Sequence, residues 1–231
     1  MYHKVLYSSA GIATQILVQE PQRMIILLDV GDGIIRDLLK EGISFPLSVP
    51  LHIFLTHGHY DHCGGLFSLL GFLRMIGQSS PVKIYYPSRS IEIEGLINLF
   101  STSYRETIPF DLKTSSLQSQ DKIYISEEVK IVTAQMKHMG STLSHGILDE
   151  IPALGYSIFK GKEKWLVFTG DTGMNENLPN FLRNASHAYI EATNNIDKKS
   201  PYHLNIQEAS ELGKLAKEFT LVHTRIKKTK Y

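Results

Sequence analysis

Short continuous apolar runs alternate along this chain with longer stretches in which apolar residues return every three or four positions. The run 24–28 ends in Asp29, turns at Gly31, Asp32 and Gly33, and passes into an amphipathic stretch over 34–40 closed by Gly42. That order predicts a strand, a glycine turn and a helix. The run 51–55, bounded by Pro50 and Gly58, predicts a buried strand. Beyond the polar segment that follows, Leu66, Phe67, Leu69, Leu70, Leu73 and Ile76 recur at helical spacing. Residues 83–86 predict another strand, and 88–100 a helix carrying Ile91, Ile93, Leu96, Ile97 and Leu99. Segment 108–120 has the composition of a loop. Strands are predicted over 129–136, 156–159 and 165–168, the last two joined by a turn at Lys160, Gly161 and Lys162. Two further short strands, 188–190 and 220–222, flank a helix predicted over 205–219. That helix opens on a capping-box pair, Asn205 and Glu208, and carries Ala209, Leu212, Leu215 and Ala216 on one face. Strands interleaved with helices imply layered α/β architecture.

A chain of 231 residues that is 42% hydrophobic can bury a substantial core. No Pro/Gly/Ser linker, repeat or low-complexity tract marks a boundary, so one domain over 1–231 is expected. The formal net charge of +1 creates no field that would by itself gather nucleic acid. No charged segment leads into an apolar core at the start, and no apolar run reaches bilayer-spanning length. Cys63 is the single cysteine, which excludes an internal disulfide and fits a reducing compartment. A cytoplasmic protein with no membrane partner is the expectation.

Several of the predicted strands stop at a residue that can bind metal: His57, His138, Asp171 and His223. The densest case is Thr56-His57-Gly58-His59-Tyr60-Asp61-His62, with three imidazoles and a carboxylate in one short stretch. Neutral imidazole and ionised carboxylate suit zinc-like divalent ions, and Gly58 is expected to give the tight turn that lets neighbouring side chains converge. Asp61 and His62 can address a second ion. Cys63 beside them is expected to be a small buried filler rather than a thiolate ligand.

The HxHxDH segment, extended by Gly64-Gly65, resembles the signature of the metallo-β-lactamase superfamily. The resemblance implies a four-layer αββα sandwich and a dinuclear centre. In it His57, His59 and His138 would hold the first ion, and Asp61, His62 and His223 the second, with Asp171 bridging both. His145 lies on the loop after His138 and is the rival third ligand of the first site. Two divalent ions are implied, zinc first, with manganese or iron as alternatives. Two cations so close would ionise a bridging water near neutral pH, which points to hydrolysis. Histidine at position 59 resembles the hydrolases rather than the flavodiiron oxidoreductases, and Asp61-His62 departs from the true β-lactamases.

Tyr189-Ile190-Glu191-Ala192-Thr193 and His203-Leu204-Asn205 look like the HEAT and HST segments of the ribonuclease Z family. Leu28-Asp29-Val30-Gly31-Asp32-Gly33 and Phe54-Leu55-Thr56-His57 extend the likeness over most of the chain. It implies a phosphodiesterase in which Asp61 is catalytic and His203, supported by Glu191, assists cleavage. The implied substrate is RNA or a small or cyclic nucleotide, and the implied assembly a homodimer. The sequence departs from that family in three places. Only a short hairpin separates Tyr156 from Asp171, where a long arm that grips transfer RNA is usual. Segment 8–14 lacks the family's proline- and lysine-containing loop. Ile190 replaces the histidine of HEAT. Arg225, Lys227, Lys228 and Lys230 form a terminal basic cluster expected to be solvated, and Tyr85, Tyr86 and Tyr104 are expected in the core rather than stacked on bases. Thioester hydrolysis resembling that of glyoxalase II is the alternative activity, and a non-catalytic metal-binding scaffold is the alternative class.

Overall fold

A computed structural model describes residues 1–140 and 150–225. The chain divides into two compact units, Met1–Ser116 and Leu117–Tyr231. The first contains β1 (Tyr2–Ser9), β2 (Ala13–Glu20), β3 (Met24–Leu28), α1 (Ile34–Lys40), β4 (Leu51–Phe54), α2 (Tyr60–Cys63), α3 (Leu66–Met75), β5 (Val82–Pro87) and α4 (Ile91–Tyr104), and it ends in β6 (Leu112–Leu117). Its six strands lie in sequence order in one sheet. β1, β2 and β3 pair antiparallel, whereas β3, β4 and β5 run parallel.

Alternate residues of these strands, Leu17, Ile25, Leu27, Leu51, Ile53, Val82 and Ile84, pack against Ile34 and Leu38 of α1, Leu70 and Leu73 of α3, and Ile97 and Phe100 of α4. The residues between them, Ile16, Ile26, Leu28 and Phe54, are buried as well. Burial on both faces is why β3 reads as an unbroken apolar run and β4 as one broken only by His52.

The second unit repeats the plan with β7 (Lys122–Tyr124), β8 (Val129–Gln135), β9 (Leu154–Lys160), β10 (Glu163–Phe168), α5 (Leu178–Leu182), β11 (His187–Glu191), α6 (Ile206–Gly213) and β12 (Glu218–Val222). The sheet order again follows the sequence. β7 to β10 pair antiparallel, and β10, β11 and β12 run parallel. Val167, Ala188 and Ile190 meet Leu178 and Phe181 of α5 and Ala209 and Leu212 of α6. The mixed α/β class expected from the alternation is therefore what the chain adopts, with its strands in two sheets. No helix among the described residues is long and apolar enough to cross a membrane.

Two expectations need correction. Segment 108–120 is not all loop, because it contains β6, whose Lys113, Thr114, Ser115 and Ser116 are exposed. An edge strand with little burial has no reason to alternate in polarity. The helix expected over 205–219 ends at Gly213, and β12 begins at Glu218. Leu215 and Ala216 keep the helical period but sit in the turn, where Lys217 N–H donates to Ala185 O at 2.8 Å. The hairpin of β1 and β2 and the short helices α2 and α5 gave no clear periodic signal.

Candidate metal centre

Parallel strands deliver the residues that follow them to one edge of a sheet, and both units use this. In the first, Asp29 follows β3 and Thr56-His57 follow β4. The Asp29 carboxylate, fully buried, accepts Thr56 N–H at 2.7 Å, the Thr56 hydroxyl at 2.8 Å and His62 Nδ1–H at 2.7 Å. Burial pushes the Asp29 carboxyl above the ordinary range, with His62 and Thr56 pulling the other way. Asp29 adopts φ 59. A left-handed residue without glycine's freedom is strained by about 1–3 kcal/mol, and the three hydrogen bonds on its side chain hold it there.

The Asp29 bond fixes His62 with Nδ1 protonated, which leaves Nε2 to face a ligand. His57 is placed similarly, its Nδ1 lying 3.0 Å from the Thr56 hydroxyl. Its Nε2 stands 3.1 Å from His59 Nδ1, and Asp61 Oδ2 lies 4.0 Å from His62 Nε2. His57 and His62 are wholly buried, and Asp61 nearly so. The turn over Val30 and Gly31 locks the segment in place, because Val30 N–H donates to His62 O and Gly65 N–H to Val30 O. A Cβ at Gly65 would stand 2.3 Å from Gly31 O, so only glycine permits that approach. Gly58 lies at the expected bend, across which His57 and His59 converge, but not through a left-handed backbone. Its φ is not positive, and a Cβ there would meet the Glu92 carboxylate at 2.5 Å.

In the second unit Asp171 follows β10, Glu191 ends β11 and His223 follows β12, with His138 just beyond β8. His138 Nδ1–H donates to Tyr202 O at 3.1 Å, and its Nε2 stands 3.7 Å from Asp171 Oδ2. His223, also left-handed at φ 54, has Nδ1 3.0 Å from Asp171 Oδ1 and 2.8 Å from the Thr193 hydroxyl. His203, roughly a quarter exposed, places Nδ1 3.0 Å from Glu191 Oε1 and 3.8 Å from Asp171 Oδ2. Glu191 is wholly buried, and its carboxylate also accepts the N–H groups of Thr172, Thr193 and Leu204. Two triads result, His138 with Asp171 and His203, and Glu191 with His203 and His223. In each, three donor atoms lie within 4.8 Å of one another.

These donor sets fit a divalent ion. Bonds of about 2.0–2.2 Å in a tetrahedron put neighbouring ligand atoms roughly 3.3 Å apart, close to the 3.1 Å between His57 and His59 and to the 3.0 and 3.7 Å from Asp171 to His223 and His138. Each of His57, His62 and His138 has its Nδ1 engaged by an oxygen, the arrangement that metal-binding histidines show.

The structure thus gathers His57, His59, Asp61 and His62 in the first unit and His138, Asp171, Glu191, His203 and His223 in the second. His145 and the basic residues 227, 228 and 230 lie outside the described residues. Cys63 is buried, its Sγ donates to Gly58 O at 3.3 Å, and burial pushes the thiol up to about 12, which suits a filler. Tyr85 stacks on Phe54 at 4.3 Å, Tyr86 packs on the core, and Tyr104 packs on Phe100 at 5.2 Å, so all three serve packing. Sequence reasoning gave no role to Asp29, Thr56 or Thr193. The signal for Asp29 was present, since β3 ends in a carboxylate just as other strands end in ligands.

Solved structures of the metallo-β-lactamase fold superpose on this chain. YhfI from Bacillus subtilis does so with a TM-score of 0.76 at 19% identity over 98% of this chain and 88% of that one. The short form of human tRNase Z gives 0.76 at 22% identity over 97% and 92%. The two-sheet plan with imidazoles and carboxylates at the strand ends defines a protein of metallo-β-lactamase fold. The chain belongs to the β-lactamase superfamily domain family, whose model matches residues 26–224. Within that superfamily it is ribonuclease Z-like: ribonuclease Z of Pyrococcus abyssi is 28% identical over 248 residues, covering 85% of this chain and 75% of that protein.

Proposed function

We propose that this protein is a phosphodiesterase of ribonuclease Z-like type that works with two divalent ions, zinc by preference. The two units act as one metallo-hydrolase domain. His57, His59 and His138 hold one ion, Asp61, His62 and His223 the other, and Asp171 serves both. Imidazole and carboxylate together suit zinc better than the hard, oxygen-seeking cations, and manganese or iron would also be accepted. When bound, the ions supply Lewis acidity toward the phosphoryl oxygens and lower the pKa of water at the site.

The observation that carries the reading is the Glu191–His203 pair, 3.0 Å apart beside Asp171. Glu191 is held by three backbone N–H groups and so orients the imidazole, whose Nδ1–H it accepts. In the imidazolium form Nε2 also carries a proton, and gives it to a leaving alkoxide oxygen. A thiolate departs far more readily without a proton, so the pair favours phosphodiester over thioester cleavage. Asp61 is the carboxylate placed to orient or deprotonate the attacking water. The short turn between β9 and β10 leaves no arm for a large folded RNA, so a small or cyclic nucleotide is as good a substrate as RNA. A homodimer acting in the cytoplasm completes the proposal.

The test is hydrolysis of bis(p-nitrophenyl) phosphate and of S-lactoylglutathione by wild type and Asp61→Ala, with metal content measured by mass spectrometry. Phosphodiester turnover lost in Asp61→Ala supports the proposal. Thioester turnover alone, or loaded metal without turnover on either ester, contradicts it.

A further inference from the structure

Tyr60 stands between His59 and Asp61, yet its side chain is 64% exposed and takes no part in the ligand set. Its hydroxyl donates to Gly11 O, in the turn that joins β1 and β2. The same residue's N–H donates to Asp61 Oδ2 at 2.7 Å. Gly11 therefore gives its carbonyl to Tyr60 and its N–H to Asp61, two side chains that leave the first turn of α2 one residue apart. Gly11 has φ +72, a conformation that glycine adopts freely and other residues only with strain. The turn itself is closed by Ile12 N–H on Ser9 O at 3.1 Å.

We propose that Tyr60 is a positioning residue. Its hydroxyl clasps the Ser9–Ile12 turn down on the HxHxDH segment, so that Gly11 N–H holds the Asp61 carboxylate in one orientation beside His62. An exposed hairpin turn is mobile unless tied, and a carboxylate side chain can take several rotamers unless a donor selects one. A hydrogen bond to a charged acceptor is among the stronger ones, and the Tyr60 bond fixes its donor. A ligand prefixed by a second residue binds its ion more tightly than one that must be ordered on binding. The functional consequence, though not the clasp itself, rests on the reading of Asp61 as ligand and catalytic residue.

The test uses Tyr60→Phe, which removes only the hydroxyl, with Tyr2→Phe as a control that loses an exposed bond to Gln19. Amide hydrogen exchange of the full-length protein, freed of metal, reads the clasp directly. Gly11 N–H is expected to be protected in wild type and in Tyr2→Phe, and to exchange about tenfold faster in Tyr60→Phe. Zinc retention against a chelator reads the consequence, with zinc leaving Tyr60→Phe faster. On bis(p-nitrophenyl) phosphate at saturating zinc, kcat should fall severalfold with KM unchanged. Gly11 exchanging as an open turn in wild type, or equally slowly in Tyr60→Phe, overturns the clasp. Faster Gly11 exchange with wild-type zinc retention and kcat overturns its role in positioning Asp61. A wild-type protein that takes up no zinc defeats the functional reading instead, while Gly11 exchange still decides the clasp.

Discussion

Asp29→Asn is the most informative single change, because it alters one atom of a buried carboxylate that holds three donors. In wild type Asp29 accepts from Thr56 N–H, the Thr56 hydroxyl and His62 Nδ1–H. Asparagine can keep an oxygen toward Thr56 N–H, but its NH2 then faces Thr56 Oγ1 and His62 Nδ1. The hydroxyl can rotate to accept. His62 can accept only by moving its proton to Nε2, the nitrogen that the account reserves for the ion. Loss of such an orienting partner typically weakens metal binding tenfold to a hundredfold, about 1.4 to 2.7 kcal/mol. Replacing a charge-assisted bond by a neutral one should also destabilise the fold by about 1–2 kcal/mol. The assays are zinc competition with a chromophoric chelator and nitrogen-15 NMR of the histidine tautomers. Weaker zinc binding, with His62 protonated on Nε2 in the metal-free variant, is expected. Wild-type zinc affinity together with a retained Nδ1 proton would refute the reasoning.

Four further outcomes follow from the same geometry. His203→Ala should lower kcat on phosphodiesters by about 10²–10⁴ while leaving bound zinc unchanged by mass spectrometry. Glu191→Gln should lower kcat in the same assay and, by urea titration, stability as well, because three backbone donors lose a charged acceptor. His52, buried and stacked near Tyr85, has its pKa lowered from 6.5 to about 4, first by desolvation and then by Lys83. The unfolded chain therefore takes up this proton near 6.5 and the folded chain does not, so stability is full above pH 6.5 and falls toward pH 4. The loss totals about 3 kcal/mol, and urea titrations at pH 7 and pH 5 should show a smaller decrease for His52→Phe than for wild type. Gly65→Ala should destabilise by about 3 kcal/mol, since its Cβ meets backbone oxygens at 2.3 and 2.8 Å; an unchanged urea midpoint would contradict that contact.

The parts of this molecule legible from its sequence are those where burial and chemistry coincide. β3 and β4 are buried throughout and β10 and β11 over their C-terminal residues, where all four read as largely apolar, and the residues at or just past their ends are those that the structure gathers at the sheet edges. β1 and β6 are edge strands whose partial exposure erases the alternation that marks a half-buried strand. The end of α6 was misplaced because Leu215 and Ala216 continue its period while partly burying their side chains from a turn. The pairing of His203 with Glu191 followed from the resemblance to HEAT and HST segments, not from spacing. Asp29 and Thr193 escaped because residues that orient a ligand do not cluster with it in sequence; only the backbone of the sheet brings them together.

The proposal stands or falls on whether the chain holds two ions and needs Asp171 to do so. Equilibrium zinc titration of the metal-free protein, followed by mass spectrometry under non-denaturing conditions, tests it most directly when wild type is compared with Asp171→Ala. The account predicts two zinc ions per chain in wild type and loss of at least one when Asp171 is replaced. Two ions bound as tightly in Asp171→Ala as in wild type, or none in either, would contradict it.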